Sequence, residues 1–228
     1  MVAWFDSFAR DYDQWYLSKI GNFIDKVEKE LIADLAKFNI GENVLDIGSG
    51  TGTYSIWMNK LGLNVTSIDQ SKEMINIAKE KASKEKLNID WILGDAHVLP
   101  FPNQSFDLVV SVTAIEFMDN YRVVLNEAMR VLKPNGRLVI GVLTKNSPWG
   151  ELYQEMAKND PNNLFSRAHL FTEDEVVNLF DAEFKLKKGL YIPPSDNFNE
   201  EDAWISERKL QEAQAENAGF FAIRWNKG

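Results

Sequence analysis

The chain contains no cysteine, and His97 and His169 are its only two histidines among 228 residues. Disulfides, thiolate metal sites and cysteine nucleophiles are thereby excluded together, and no metal site is expected. No stretch approaches the roughly twenty uncharged apolar residues that span a bilayer, so a membrane is not an expected partner. Positive charge is in deficit: 25 Lys and Arg stand against 34 Asp and Glu, giving a formal net charge of −9. That averaged field repels phosphate backbones, which disfavours nucleic acid as a partner. The opening residues, Met1 to Tyr16, place Asp6, Asp11 and Asp13 among aromatics. They lack the basic leader and apolar stretch of an export signal, so a cytoplasmic location is expected. Nothing in the sequence specifies an oligomeric state.

What is present is the composition of a globular protein, 45% apolar and 26% charged, with length for one domain over residues 1–228. Within an amino-terminal helical segment, 1–40, the spacing of Phe23, Val27, Leu31 and Leu35 predicts an amphipathic helix from Asn22 to Phe38, ended by Gly41. Residues 41–145 alternate. Apolar runs at Val44–Ile47, Asn64–Ile68, Ile89–Leu93, Phe106–Val112 and Arg137–Leu143 read as strands buried on both faces. Helical stretches at Tyr54–Leu61, from the N-cap Ser71 to near Lys86, and Tyr121–Leu132 lie between them. This rhythm predicts an α/β fold with a mostly parallel sheet. It breaks at 146–171, where Pro148, Trp149, Pro161, Arg167 and His169 follow no sheet pattern, and an inserted lid is expected. Residues 172–228 should add a short helix capped by Thr172 and two late strands, near Glu183–Ile192 and Phe220–Trp225.

The chemistry is concentrated where the first strand ends, in Val44-Leu45-Asp46-Ile47-Gly48-Ser49-Gly50-Thr51-Gly52-Thr53. An open parallel sheet exposes its carboxyl edge to ligand at such a turn, and glycine lets the backbone approach closely. Asp69 ends the second strand, so its carboxylate can accept both hydroxyls of a ribose held over the turn. A nicotinamide dinucleotide would satisfy that geometry as well, but Thr53 occupies the place of the dinucleotide fingerprint's third glycine.

The same block resembles the first motif of the class I S-adenosylmethionine-dependent methyltransferases. Asp69-Gln70-Ser71 with Met74 resembles that family's second motif, and Gly94-Asp95-Ala96 resembles its adenine motif. Leu99-Pro100-Phe101-Pro102 through Ser105-Phe106-Asp107, and Leu132-Lys133-Pro134-Asn135-Gly136-Arg137-Leu138, are similar to its approaches to strands four and five. The match covers roughly residues 40–145 and is nearest to the small-molecule branch that includes the ubiquinone and menaquinone biosynthesis methyltransferases.

The resemblance implies a Rossmann-like sheet of seven strands, six parallel and one late antiparallel, with helices on both faces. It implies S-adenosylmethionine as cofactor, S-adenosylhomocysteine as product and a small-molecule methyl acceptor. Carried onto this chain, the cofactor set is Asp46, Gly48, Ser49, Gly50, Gly52, Asp69, Gln70, Met74, Asp95, Ala96 and Thr113. Phe8-Ala9-Arg10-Asp11-Tyr12-Asp13 resembles the family's closing segment, which adds Tyr12 and Tyr16 to that set and Trp15 to the candidate lid residues. Glu116, after the fourth strand, and His169, in the insertion with Arg167, are the candidate catalytic groups. His97 reads as a loop residue. Trp149, Tyr153, Phe165, Phe171 and Trp204 are either an aromatic lid or core. A binding module without turnover and a nicotinamide oxidoreductase are the rival readings.

Overall fold

A computed structural model describes residues 4–195 and 197–228; residues 1–3 of the amino-terminal segment and residue 196 lie outside the described residues. Three short turns open the described chain: a 3-10 turn at Trp4–Ser7, α1 (Ala9–Tyr12) and α2 (Gln14–Leu17). Then come α3 (Lys19–Ala36), β1 (Asn43–Ile47), α4 (Thr53–Lys60), β2 (Asn64–Asp69), α5 (Lys72–Lys84), β3 (Asp90–Leu93) and β4 (Phe106–Val112). After β4 follow α6 (Tyr121–Val131), β5 (Leu132–Leu143), α7 (Pro148–Asn159), α8 (Glu173–Val177), β6 (Phe184–Gly189), α9 (Glu200–Glu212) and β7 (Phe220–Asn226). No described helix is long and apolar enough to cross a membrane.

The seven strands form one sheet in the order β3-β2-β1-β4-β5-β7-β6. β1 to β5 are parallel, and β7 runs antiparallel between β5 and β6. The expected six parallel strands and one antiparallel strand are therefore present. Alternation along the buried strands divides the core in two. Val44, Leu108 and Val110 join Phe23, Val27, Leu31 and Ile32 of α3 on one face. Leu45, Val109, Leu138 and Ile140 join Val124, Leu125 and Ala128 of α6 on the other.

Two boundaries differ from the sequence reading. Helix α3 begins at Lys19, because the Ser18 side chain accepts from the Gly21 N–H, and ends before Lys37, which adopts left-handed φ of 50°. Gly41 belongs instead to the turn into β1. The expected insertion holds a full helix, α7, capped by Ser147 with Pro148 in its first turn. Its base is closed by a parallel bridge between Thr144 and Phe171.

Candidate active site

The ends of β3, β2, β1 and β4 are neighbours, so the turns that leave them share one edge. A cavity of about 730 Å3 lies there, within the range of sites for small organic ligands. Its wall combines Gly48 and Gly50 with Asp69, Gln70 and Met74, then Asp95 and Ala96, then Thr113. A smaller cavity shares Tyr12, Gly48, Gly50 and Thr113 with it and reaches Tyr16, Asp46 and Ser49.

The glycine turn explains its own composition. The Gly48 and Ser49 N–H groups donate to the Ile68 carbonyl at 2.9 and 3.2 Å, tying the turn to β2. Gly48 has φ of +71°, and a Cβ there would lie 2.5 Å from the Ala114 Cβ. Gly50 has φ of +53°, and a Cβ on it would meet nothing within 4 Å, so bare backbone borders the cavity. The structure brings Gly52 to neither cavity. A Cβ there would strike Trp91 at 2.6 Å, so this glycine serves the packing of α4 on β3.

Asp69 receives the Gly50 N–H and the Ser71 N–H, each at 2.8 Å. Burial pushes its carboxyl up while these backbone donors pull it down. Each oxygen retains a further acceptor site. Asp95 is held below the usual carboxylate range, first by the His97 backbone N–H at 2.9 Å and then by the His97 ring at 2.6 Å. His97 also meets the Asp119 carbonyl through Nε2. Burial opposes its charge, but the Asp119 carbonyl and Asp95 together raise its pKa. Asp46 is fully buried against the Ser55 hydroxyl, and desolvation pushes it up to about 7. Thr113 holds φ of 46°, a left-handed conformation of the kind that concentrates at functional sites.

The amino-terminal segment is fastened over this edge by two aspartates. Asp6 accepts from the Ser71 hydroxyl at 2.5 Å, and Asp13 accepts from the Thr51 hydroxyl at 2.6 Å and from Lys81 at 2.7 Å. The fastening brings Trp4, Phe5 and Tyr12 to the large cavity and Tyr12 and Tyr16 to the small one. Trp15 instead stands edge-on to Trp149, away from both. From the insertion, Arg167 alone reaches the wall, its guanidinium 3.9 Å over the Trp4 ring.

Both expected catalytic groups lie outside the cavity walls. His169 stacks on Tyr121 at 5.6 Å and meets Glu175 at 3.2 Å, which holds its ring at the exposed surface. Glu116 is buried, its Oε1 accepting the Leu143 N–H at 2.6 Å. Trp149, Tyr153 and Phe171 are core residues, and Phe165 and Trp204 pack on that core. Trp4, Phe5, His97, Phe117, Met118 and Asp119 line the large cavity without having been singled out for it by the sequence. The run of aromatics ahead of Phe8 was a usable signal for Trp4 and Phe5. Asp119 carried none.

Residues 45–140 match a methyltransferase domain family. Over 176 residues, 77% of each chain, the sequence is 31% identical to an uncharacterised protein of Methanocaldococcus jannaschii. Over 100 residues it is 42% identical to the demethylmenaquinone methyltransferase of Tropheryma whipplei, which covers 44% of this chain and 41% of that enzyme. The chain is a class I S-adenosylmethionine-dependent methyltransferase. A similar solved structure is a methyltransferase of Thermotoga maritima described as a possible histamine N-methyltransferase. The two share a TM-score of 0.75 and 25% identity over 99% of this chain and 98% of that one. The cofactor of this methyltransferase is S-adenosylmethionine. The segment aligned with the Tropheryma enzyme is about two fifths of that enzyme's length, 41%, so the acceptor does not carry over with the fold.

Proposed function

We propose that this methyltransferase transfers the methyl group of S-adenosylmethionine to a small molecule, with the donor held along the glycine-turn edge. The observation that carries the placement is one wall shared by bare backbone at Gly50, the carboxylate of Asp69 and the carboxylate of Asp95. That donor and acceptor set fits an adenosine. Asp69 would accept from the ribose hydroxyls, Asp95 from the exocyclic amine, and the Ala96 N–H would meet the ring, with Gln70 and Met74 beside them. Gly48, Ser49, Asp46, Thr113, Tyr12 and Tyr16 then surround the amino-acid end, in and next to the smaller cavity.

When bound, the cofactor supplies a methyl group already activated by sulfonium charge. What the chain must add is orientation and a dry site, which can supply roughly 7–11 kcal/mol of the barrier. Trp4 and Phe5, held by Asp6 and Asp13, serve the exclusion of water. A small acceptor is supported by a site roofed by the chain's own amino-terminal segment and by a net charge of −9. Incubation of the enzyme with methyl-labelled donor and a fractionated cell extract tests the reading. Label should appear in the low-molecular-weight fraction. Label confined to protein or nucleic acid, or no transfer at all, contradicts it.

A further inference from the structure

The large cavity continues past the residues assigned to the donor, to the turn that leaves β4. There Phe117 and Met118 line it from that turn, Trp4 and Phe5 from the amino-terminal segment, and Arg167 from the insertion. Phe5 stands edge-on to Phe117 at 5.1 Å, so aromatic surface from two elements meets at this end. Arg167 closes a 3-10 turn, Leu164–Arg167, that is held from three sides. The Asn163 side chain caps it by accepting from the Phe165 N–H at 3.0 Å, and Phe165 stacks on Tyr153 at 4.1 Å. Two residues past Arg167, the His169 N–H donates to the Glu116 carbonyl at 2.7 Å. The insertion is thereby pinned to the turn after β4, and Arg167, itself exposed, is presented at the cavity wall.

The charges of that wall are unequally answered. Asp69 accepts two backbone N–H groups, Asp95 is paired with His97, and Asp119 lies close enough to act on the same imidazole. Arg167 is the remaining charged side chain of the wall. Among the described residues its guanidinium has neither an ion pair nor a hydrogen bond, although the chain carries a net charge of −9. What it has is the Trp4 ring, 3.9 Å away. A guanidinium set over a ring uses its face, while its N–H groups lie in its own plane and stay free to donate. Those donors form a fork that fits a carboxylate with two parallel hydrogen bonds. One fork answers one negative charge; a phosphate dianion would leave charge uncompensated near Asp119.

Resting on the donor placement proposed above, we propose that the methyl acceptor is an apolar molecule carrying a carboxylate, which the free N–H edge of Arg167 receives while the apolar body lies against Phe5, Phe117 and Met118. Arg167 is then a specificity-determining residue. Contact with Trp4 restricts its guanidinium in advance, so less freedom is lost on binding. The aromatic surface beside it displaces water and strengthens the ion pair. A neutral molecule gains the aromatic contacts alone, and an amine meets the one unanswered cation of the wall.

The test is calorimetry on the enzyme saturated with S-adenosylhomocysteine, using 3-phenylpropionate, its neutral amide, 3-phenylpropylamine and phenyl phosphate as probes. The carboxylate should bind at least about tenfold more tightly than the amide, the scale of a charge-assisted hydrogen bond. The amine should bind no more tightly than the amide, and phenyl phosphate more weakly than the carboxylate. Arg167→Gln should erase the preference for the carboxylate and leave the affinities for the amide and for S-adenosylhomocysteine unchanged. Arg167→Lys, which keeps a charge without the fork, should retain only part of the preference. A uniform loss across all four probes in Arg167→Gln would show that the arginine only steadies Trp4, and overturns the proposal. Equal binding of carboxylate and amide, a preference for the amine or the phosphate, no binding of any probe, or a preference that survives Arg167→Gln overturns it too. Failure of the wild-type enzyme to bind S-adenosylhomocysteine overturns the donor placement instead.

Discussion

Asp46, Glu28 and Glu116 share one circumstance: each is enclosed by protein, and desolvation drives each carboxyl toward its neutral form, at about 7, 8 and 7. The unfolded chain ionises such groups near 3.8 for Asp and 4.5 for Glu. Between those values and about 8 the folded chain therefore holds more protons than the unfolded one, so stability falls as pH rises through that window. Urea unfolding should show a higher midpoint at pH 5 than at pH 8, and Glu28→Gln should flatten the slope. A midpoint that rises over the same interval would contradict the burial of these acids. Glu28 was legible in principle, since it lies four residues after Ile24 and three before Leu31, on the face that α3 buries. A charged residue among Lys and Glu neighbours reads as solvent-facing until its face is fixed. The glycines separate in the same way. Gly48→Ala should cost about 1–3 kcal/mol of stability, because its Cβ would crowd Ala114 in a left-handed backbone. Gly50→Ala has open space around its Cβ, so its loss should appear as weaker cofactor binding more than as instability. Denaturation and calorimetry on the two variants distinguish the effects, and equal behaviour would contradict the assignment.

At the scale of elements, β1, β4 and β5 were readable because burial on both faces leaves near-continuous apolar runs, whereas β3, read the same way, is an edge strand with Asp90 and Leu93 exposed and Trp91 and Ile92 half-buried. Helix α7 was not readable, although Ser147 and Pro148 form a recognisable start, because Trp149 and Tyr153 in the core look the same in sequence as aromatics in a lid. The position of His169 was unreadable for a related reason. The insertion returns to the sheet at the Thr144–Phe171 bridge, and that anchoring fixes the histidine beside Tyr121 and Glu175 rather than at the cavity. The amino-terminal turns are fastened chiefly by Asp6 and Asp13, with few core residues of their own. Such elements open at low free-energy cost. Asp13→Ala should therefore speed amide exchange across residues 4–17 and weaken binding of S-adenosylhomocysteine by roughly threefold to tenfold, since one partly exposed ion pair and one hydrogen bond are lost. Unchanged exchange would mean that other contacts hold the segment.

Over the whole molecule, the parallel order β3-β2-β1-β4-β5 brings four motifs separated by up to seventy positions to one edge, and the motifs could be read because each sits at a strand end. Family resemblance implied one late antiparallel strand, but not that β7 inserts between β5 and β6, because residue spacing does not reveal which strand a late segment joins. Contacts among loops, such as His97 with Asp119, depend on that assembled edge. The claim on which the functional reading depends is that this edge holds an adenosine through Asp69. Titration calorimetry of S-adenosylhomocysteine against the wild-type enzyme and Asp69→Ala tests it most directly. Micromolar binding by the wild type, weakened at least about tenfold by the loss of a charged hydrogen-bond acceptor, is the expected result. No wild-type binding, or equal affinity in a folded Asp69→Ala variant, would contradict it.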